Sequence, residues 1–290
     1  MATNDKNVVW LASYPKSGNT WFRVFITNVL SKEDKPADIN KLRPATIASS
    51  RALFDEATGV SSSELSPDEI DHMRPVVYRY MAKKATDLVF HKIHDAWHKL
   101  PDGEALIPPE ITRAVIYFVR NPLDVAISFA HHSSVDIDKS IQMMNNPDYA
   151  FCKRTDRLHN QLRQQLSTWS RHVESWVDNS KLPLIVIRYE DMLLKPFETF
   201  EKALKFAGLQ VDAEKIEQAI DFSSFEQLTS QEKKHGFKEK SPKSEAFFRK
   251  GKMGDWKETL TGEQVQKIIQ EHHAVMKRFD YIPEGYPGYA

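Results

Sequence analysis

Lys16 stands inside the run Tyr14-Pro15-Lys16-Ser17-Gly18-Asn19-Thr20-Trp21, a tight polar turn with one full positive charge. Ser17, Asn19 and Thr20 add side-chain hydrogen-bond donors to it. An apolar run, Val8–Ser13, precedes the turn and reads as a buried strand, and the apolar residues of Trp21–Ile26 continue through Val29 and Leu30 as a helix would. Strand, turn and helix in that order aim backbone N–H groups and a helix N-terminus at an anion. The implied chemistry is that of a phosphate-type group held in a cradle with a lysine in it. The ATP-binding pattern G-x-x-x-x-G-K-[ST] is absent, because Gly18 follows the lysine and no glycine lies four residues ahead of it.

Three further segments carry chemistry. Arg120 ends the apolar run Val115–Val119, where a strand's carboxyl end opens onto a crevice in an open α/β sheet, and Pro122 can start the next helix. Ser128, about two helical turns on, can face the same crevice, and a guanidinium with a hydroxyl suits a phosphate. The plainer alternative is Arg120 paired with Asp124. In Phe247–Lys257 two glycines sit among basic and aromatic residues, which makes either an anion-wrapping loop or a solvated basic one. From Lys233 to Lys257 nine Lys/Arg face three acids, a local excess of six positive charges in a chain whose 40 basic and 40 acidic residues balance. Finally, Phe90-His91-Lys92-Ile93-His94-Asp95 places histidines just after an apolar run, and histidine titrates in the range needed to take a proton from a hydroxyl. His91, His94 and His98 also admit a metal reading, although neither a nearby cysteine nor an H-E-x-x-H arrangement completes a recognisable site.

These segments, in this order, resemble the soluble sulfotransferases that use 3′-phosphoadenosine 5′-phosphosulfate (PAPS). The octapeptide is similar to their phosphosulfate loop, with Asn19 where Thr is common. Arg120 and Ser128 match the element that binds the donor's 3′-phosphate, and R-K-G-x-x-G-D-W, through Arg249, Lys250 and Gly251, matches the lid that completes it. Phe222–Glu226 looks like the adenine-side segment, with Ser223 and Phe225 at the contacting positions, and Ile187–Met192 resembles the strand end where Tyr189 would reach the adenine. Lys92 and His94 match a K-x-H segment. The departure is that no tryptophan lies between Trp21 and Trp97, where animal members often place one against the adenine.

The resemblance implies a P-loop-kinase-like α/β fold, a doubly wound parallel sheet with helices on both faces. It also implies in-line sulfuryl transfer from PAPS to a phenol or alcohol of a small-molecule acceptor, with no metal. His94 would be the general base, Lys16 would stabilise the departing phosphate oxygen, and Lys92 and Thr20 would orient the sulfuryl oxygens. Ser17, Gly18, Asn19, Thr20 and Trp21 would hold the donor with Lys16, and Ser128 would sense the 3′-phosphate. The rival readings are an ATP-dependent small-molecule kinase, disfavoured by the missing Walker spacing, and a nucleotide-binding module without turnover.

The elements that position these residues are expected in one domain, residues 1–290. Strands are expected at Val8–Ser13, Leu88–Phe90, Val115–Val119 and Leu184–Ile187, separated by helices. Capping boxes open helices at Ser66 and at Thr261, the latter running to about Arg278. Leu158, Leu162, Leu166, Trp169, Val173 and Trp176 recur at steps of three and four, predicting one long helix over 155–177. Residues 36–86 and 131–155 show no strand signal and are expected to wall the acceptor cleft, with Phe54, Tyr78, Tyr80, Phe129, Tyr149 and Phe151 as its aromatic candidates. Residues 233–257 form the basic lid.

The composition, 41% hydrophobic and 28% charged, allows a sizeable core, and the zero formal net charge argues against a nucleic-acid partner. The single Cys152, a polar N-terminal stretch and the lack of any apolar run near the roughly 20 residues that span a bilayer predict a cytoplasmic protein without membrane attachment. The Golgi-resident sulfotransferases, by contrast, carry an anchor. The oligomeric state stays open, since the animal dimerising pattern is only faintly echoed at 257–263.

Overall fold

The computed structural model describes residues 6–42, 45–154, 156–241 and 244–286. In chain order, β1 (Val8–Ser13) leads to α1 (Asn19–Leu30), then β2 (Ala45–Ile47), α2 (Arg51–Thr58), α3 (Pro67–Lys84) and β3 (Val89–Ile93). Next come β4 (Thr112–Val119), α4 (Pro122–Ser133), α5 (Ile137–Met144), the short strands β5 (Ala150–Phe151) and β6 (Gln164–Gln165), α6 (Trp169–Glu174) and β7 (Leu184–Arg188). The chain finishes with α7 (Tyr189–Leu194), α8 (Pro196–Ala207), α9 (Ala213–Phe222), α10 (Phe225–His235), α11 (Trp256–Thr259) and α12 (Gly262–Arg278).

Five parallel strands form the central sheet in the order β2-β3-β1-β4-β7. Alternation along the strands sends side chains to two cores. Val8, Trp10, Ala12, Val115 and Tyr117 pack with α4, α6 and α12 on one face, while Val9, Leu11, Ile116 and Phe118 pack with α1, α8 and α9 on the other. This is the doubly wound sheet expected. The chain leaves central β1 toward β3 on one side and later returns to β4 on the other, so the loops beyond these strands part and open a crevice at their carboxyl ends.

Both predicted capping boxes form. The Ser66 and Thr261 side chains each accept from the backbone N–H three residues on, and Glu69 and Gln264 reach back.

Two expectations fail. Residues 36–86 hold β2, a three-residue edge strand paired with β3, and 131–155 hold β5, which pairs antiparallel with β6. Two or three residues are too few to display a period. The long helix over 155–177 is not there either. Thr155 lies outside the described residues, and α6 starts only at Trp169, capped by Thr168, and runs on as one π-helical stretch, Ser175–Asn179. The leucine spacing served several surfaces instead of one stripe. Leu158 is exposed, Leu162 joins Phe54, Ile70 and Val77 in a satellite cluster, and only from Leu166 onward do the residues enter the main core.

One buried ion pair braces the end of β3. Arg74 of α3 grips both carboxylate oxygens of Asp95 at 3.0 and 2.6 Å, and Trp176 Nε1 donates to the Asp95 carbonyl at 2.9 Å. Removing one partner of such a pair strands the other charge in the interior. Arg74→Met is therefore expected to lower the unfolding free energy by about 3–5 kcal/mol, read from the denaturant midpoint, while a loss below about 1 kcal/mol would show the brace to be dispensable.

Candidate active site

The turn after β1 is built from unusual backbone. Lys16 has φ +70° and Gly18 φ +96°, and a Cβ on Gly18 would come within 2.8 Å of Tyr189 Cδ2. Glycine is required there by both conformation and space. The turn thus curls back over the start of α1, and Asn19 ties it down by donating to the Leu11 carbonyl at 2.7 Å and Ser13 Oγ at 3.2 Å. Asn19 Nδ2 is therefore committed to bracing, which leaves Thr20, on the cavity wall, as the side-chain donor nearest to the role expected of it.

Four strand ends meet around one cavity of about 960 Å³. Lys16 and Gly18 come from the first loop, Asn19, Thr20 and Trp21 from the start of α1, Lys92 and His94 from the end of β3, Arg120 and Ser128 from just after β4 and from α4, and Tyr189 from the start of α7 after β7. Phe225, Arg249, Lys250 and Gly251 close it from the far side. Arg120 donates to the carbonyls of Lys16 and Lys252, both at 3.1 Å, and lies 4.2 Å over the Tyr189 ring. It does not pair with Asp124, whose carboxylate instead accepts the Gly254 and Trp256 N–H groups at 2.7 and 3.0 Å. Among the described residues, Arg120 Nε, Ser17 Oγ and Trp21 Nε1 are buried without a hydrogen-bond partner.

Two predicted residues sit differently. Ser17 is buried beneath the turn, off the cavity wall. Ser223 turns its hydroxyl onto the Ala219 carbonyl at 2.7 Å, and its neighbour Ser224 lines the cavity. Phe225, part-buried, meets the lid backbone so closely that a Cβ on Gly251 would lie 2.5 Å from its ring. With Trp21 and Tyr189 it supplies the aromatic walls at the end where no second tryptophan is available.

Positive charge dominates the site. Burial lowers the Lys16 pKa to about 7, with Lys92, Arg120 and Arg249 pressing the same way, and the amine sits 4.2 Å over the Phe247 ring. In the lid, Arg249 and Lys250 both pair with Asp255, the former at 2.9 Å. Such a gathering of cations, with orphaned buried donors, fits an anion of several charges.

His94 is held in one tautomer. Its Nδ1 lies 2.8 Å from the Ser13 carbonyl and must donate there, leaving Nε2 as the basic nitrogen. Burial, with Lys92 adding to it, holds His94 well below its usual range, so the ring is neutral near pH 7. Its main-chain carbonyl accepts from buried His172 Nε2 at 3.0 Å, and His172 Nδ1 in turn accepts from the Tyr117 hydroxyl at 2.8 Å. Neither His172 nor Tyr117 was legible as a site residue, since no local motif surrounds them. His91, on the opposite face of β3, bonds to Thr46 Oγ1 at 2.7 Å, away from His94. Among the described residues no group of three or more His, Cys, Asp or Glu is placed to hold a metal ion.

Comparison with known proteins agrees with this geometry. The family described as the sulfotransferase domain matches residues 6–280. The chain belongs to the sulfotransferase family. A flavonol 3-sulfotransferase of Flaveria bidentis is 26% identical over 90% of this chain and 79% of its own length, and sulfotransferase 1A1 of Canis lupus familiaris is 24% identical over 92% and 82%. Among solved structures, mouse sulfotransferase SULT7A1 complexed with PAP aligns with a TM-score of 0.57 at 19% identity over 96% of this chain and 87% of its own. Retinol dehydratase in complex with retinol and PAP aligns at 0.60 and 18% over 93% and 81%. The shared architecture is the P-loop-kinase-like fold expected, and the chain is a sulfuryl-transfer enzyme. Among the described residues no helix is long and apolar enough to cross a membrane.

The low Lys16 value generates a prediction. An anion beside this amine raises its pKa again, so binding between about pH 7 and that higher value takes up a proton, whereas below pH 7 the proton is already present. Calorimetry with adenosine 3′,5′-bisphosphate (PAP) at pH 8, in two buffers of different ionisation enthalpy, should show this uptake and an affinity falling as pH rises. Lys16→Met should lose both effects.

Proposed function

We propose that this protein transfers the sulfuryl group of PAPS to a hydroxyl of a small-molecule acceptor, with His94 as general base and Lys16 as the cation at the leaving phosphate. One observation carries the reading. The neutral imidazole of His94, with Nε2 left free to accept, lines the same cavity as the Lys16 and Lys92 amines. A base for the incoming hydroxyl and cations for the group being transferred are thus gathered in one chamber.

The site divides by chemistry. Toward Arg120, Ser128, Tyr189, Phe225 and the lid, cations and aromatics suit a purine nucleotide with two phosphate positions: aromatic faces take the base, and Arg120, Ser128, Arg249, Lys250 and Gly251 take the 3′-phosphate. Lys16 and the N–H groups at the start of α1 hold the 5′-phosphate, and Lys92 and Thr20 orient the sulfuryl oxygens. As the acceptor oxygen approaches sulfur, its proton passes to His94 Nε2, and charge growing on the phosphate oxygen is met by Lys16, a preorganised contribution that needs no rearrangement. Side chains supply all of this charge, so the scheme uses no metal.

The acceptor half lies toward His132, Tyr149, Phe151, Gln161 and Gln164. Of the six aromatic candidates only Tyr149 and Phe151 line it. Phe54, Tyr78 and Phe129 are core, Tyr80 is exposed, and the described residues of 36–86 contribute nothing to the wall. Tyr149 and Phe151 meet edge to face at 6.1 Å and offer a surface for a flat ring. Gln161 Oε1 is already engaged by Ser49 and Gln164. The remaining lining favours a phenol with polar substituents over a purely hydrocarbon alcohol.

His94→Ala is expected to cut turnover with a phenolic acceptor by about 10²–10⁴ while leaving PAP affinity nearly intact. Near-parental turnover by a folded, PAP-binding mutant would remove His94 from the mechanism. Arg120→Ala should instead raise the PAP dissociation constant roughly tenfold to a hundredfold, a charge-assisted phosphate contact being worth about 1.5–3 kcal/mol. The same mutant should bind adenosine 5′-phosphosulfate, which lacks the 3′-phosphate, as the parent does. Equal weakening of both ligands would deny Arg120 that reading.

A further inference from the structure

The lid places one acid against the catalytic cations. Glu239 Oε2 lies 2.9 Å from Lys92 Nζ, and Oε1 lies 2.6 Å from Arg23 Nη1. Arg23, buried on α1, is fixed independently by two bonds from its guanidinium to the Ala45 carbonyl, at 3.1 and 2.9 Å. The carboxylate is thus clamped between a rigid arginine and a lysine whose amine opens on the cavity. Three segments remote in sequence, α1, β3 and the lid, meet at this one group.

We propose that Glu239 is a positioning residue, the counter-ion that keeps Lys92 charged and aimed at the sulfuryl oxygens; this rests on the sulfuryl-transfer reading of the site. Lys92 is buried, and an isolated buried ammonium sheds its proton. The charges facing it are mostly of its own sign: Arg23 from α1 and Lys16 from the first loop, with His94 beyond its own strand and His132 of α4, both neutral, nearby. Glu239 is the negative group set against them. Burial alone would raise its carboxyl, but Lys92 and Arg23 hold it at about 2, so it is ionised at every working pH. Burial, with Arg23, still leaves Lys92 below its ordinary value, and Glu239 is what limits that fall.

A counter-ion held from behind by Arg23 can neutralise Lys92 in the empty protein without having to leave when an anion arrives. Lys92 has three donor hydrogens, and one bond to Glu239 leaves two for sulfuryl oxygens.

The test uses the full chain carrying ¹³Cε-labelled lysine, with Lys92 assigned by Lys92→Arg, and needs no acceptor. In Glu239→Gln the Lys92 titration should move down by about one unit or more, both with and without PAP. PAP affinity should change by less than about threefold, since the nucleotide contacts lie elsewhere, and kcat should fall at least about tenfold with its alkaline limb displaced to lower pH. Glu239→Asp should recover part of both titration and kcat. Should Glu239→Gln unfold the lid, the comparison is made on a background without Arg23: the Lys92 titration must be lower in Arg23→Met/Glu239→Gln than in Arg23→Met alone. An unchanged Lys92 titration overturns the proposal, as does a rise in kcat/KM for the donor, which would make Glu239 a competitor of the sulfuryl group. Absence of turnover in the parent with every acceptor would count against the transfer reading, while the titration would still decide the role of Glu239.

Discussion

The repulsion among cations gathered at the carboxyl ends of β1, β3 and β4 organises the rest of this molecule. Lys16, Lys92 and Arg120 are brought into one cavity by the sheet itself, because each sits within a few residues of a strand end. A parallel sheet has no choice in this: its loops on one edge must converge, and whatever those loops carry must coexist. The cost appears in Lys16, which burial and its neighbours leave only weakly basic. An arrangement so balanced suits the polyanionic donor proposed for it.

The acids of the region are placed in keeping with that balance. Asp124 and Glu232 direct their carboxylates at backbone N–H groups of the lid, at Gly254 and Trp256 in one case and Phe247 and Phe248 in the other. Glu190 takes the Asn121 N–H at 3.0 Å and the Tyr281 hydroxyl at 2.7 Å, steadying the turn that carries Arg120. Among the described residues these carboxylates form no ion pair with Lys16 or Arg120, although Glu232 partly offsets the cations around Lys16. Asp255 and Glu239 are the exceptions: Asp255 pairs directly with Arg249 and Lys250, and Glu239 with Lys92 and Arg23.

What could be read from the sequence was what is local. Lys16 through Trp21 announces itself because strand, turn and helix are contiguous, whereas Arg120, Ser128 and the Arg249–Gly251 segment lie in stretches whose composition admits an anion and which only the family resemblance assigned to one. The buried strands were legible for the same reason, as short apolar runs. The supporting contacts were not. Arg74 reaches Asp95 and His172 reaches the His94 carbonyl across 21 and 78 residues, and Glu239 reaches Lys92 across 147. Nothing in the neighbourhood of Glu239 marks it apart from any acid in a charged lid. The misread helix over 155–177 has the same origin. A spacing of three and four states which residues are apolar, and tertiary packing then distributed Leu162 and Leu166 to different cores. Ser223 and Ser224 show the limit of motif matching at single-residue resolution, since the helix end decides which hydroxyl faces out.

Helix α10 links two tasks that a nucleotide site often separates. Its first residue, Phe225, presses on Gly251, and Glu232, two turns later, holds the amides of Phe247 and Phe248. The wall proposed for the base and the strap proposed for the phosphate are therefore both held by one helix. A nucleotide fragment that engages only the purine wall would thus rest on the helix that also holds the phosphate strap, and a fragment carrying only the phosphate would rest on the strap. Under the proposed reading, chemically separate fragments of the donor would meet on α10 without touching each other.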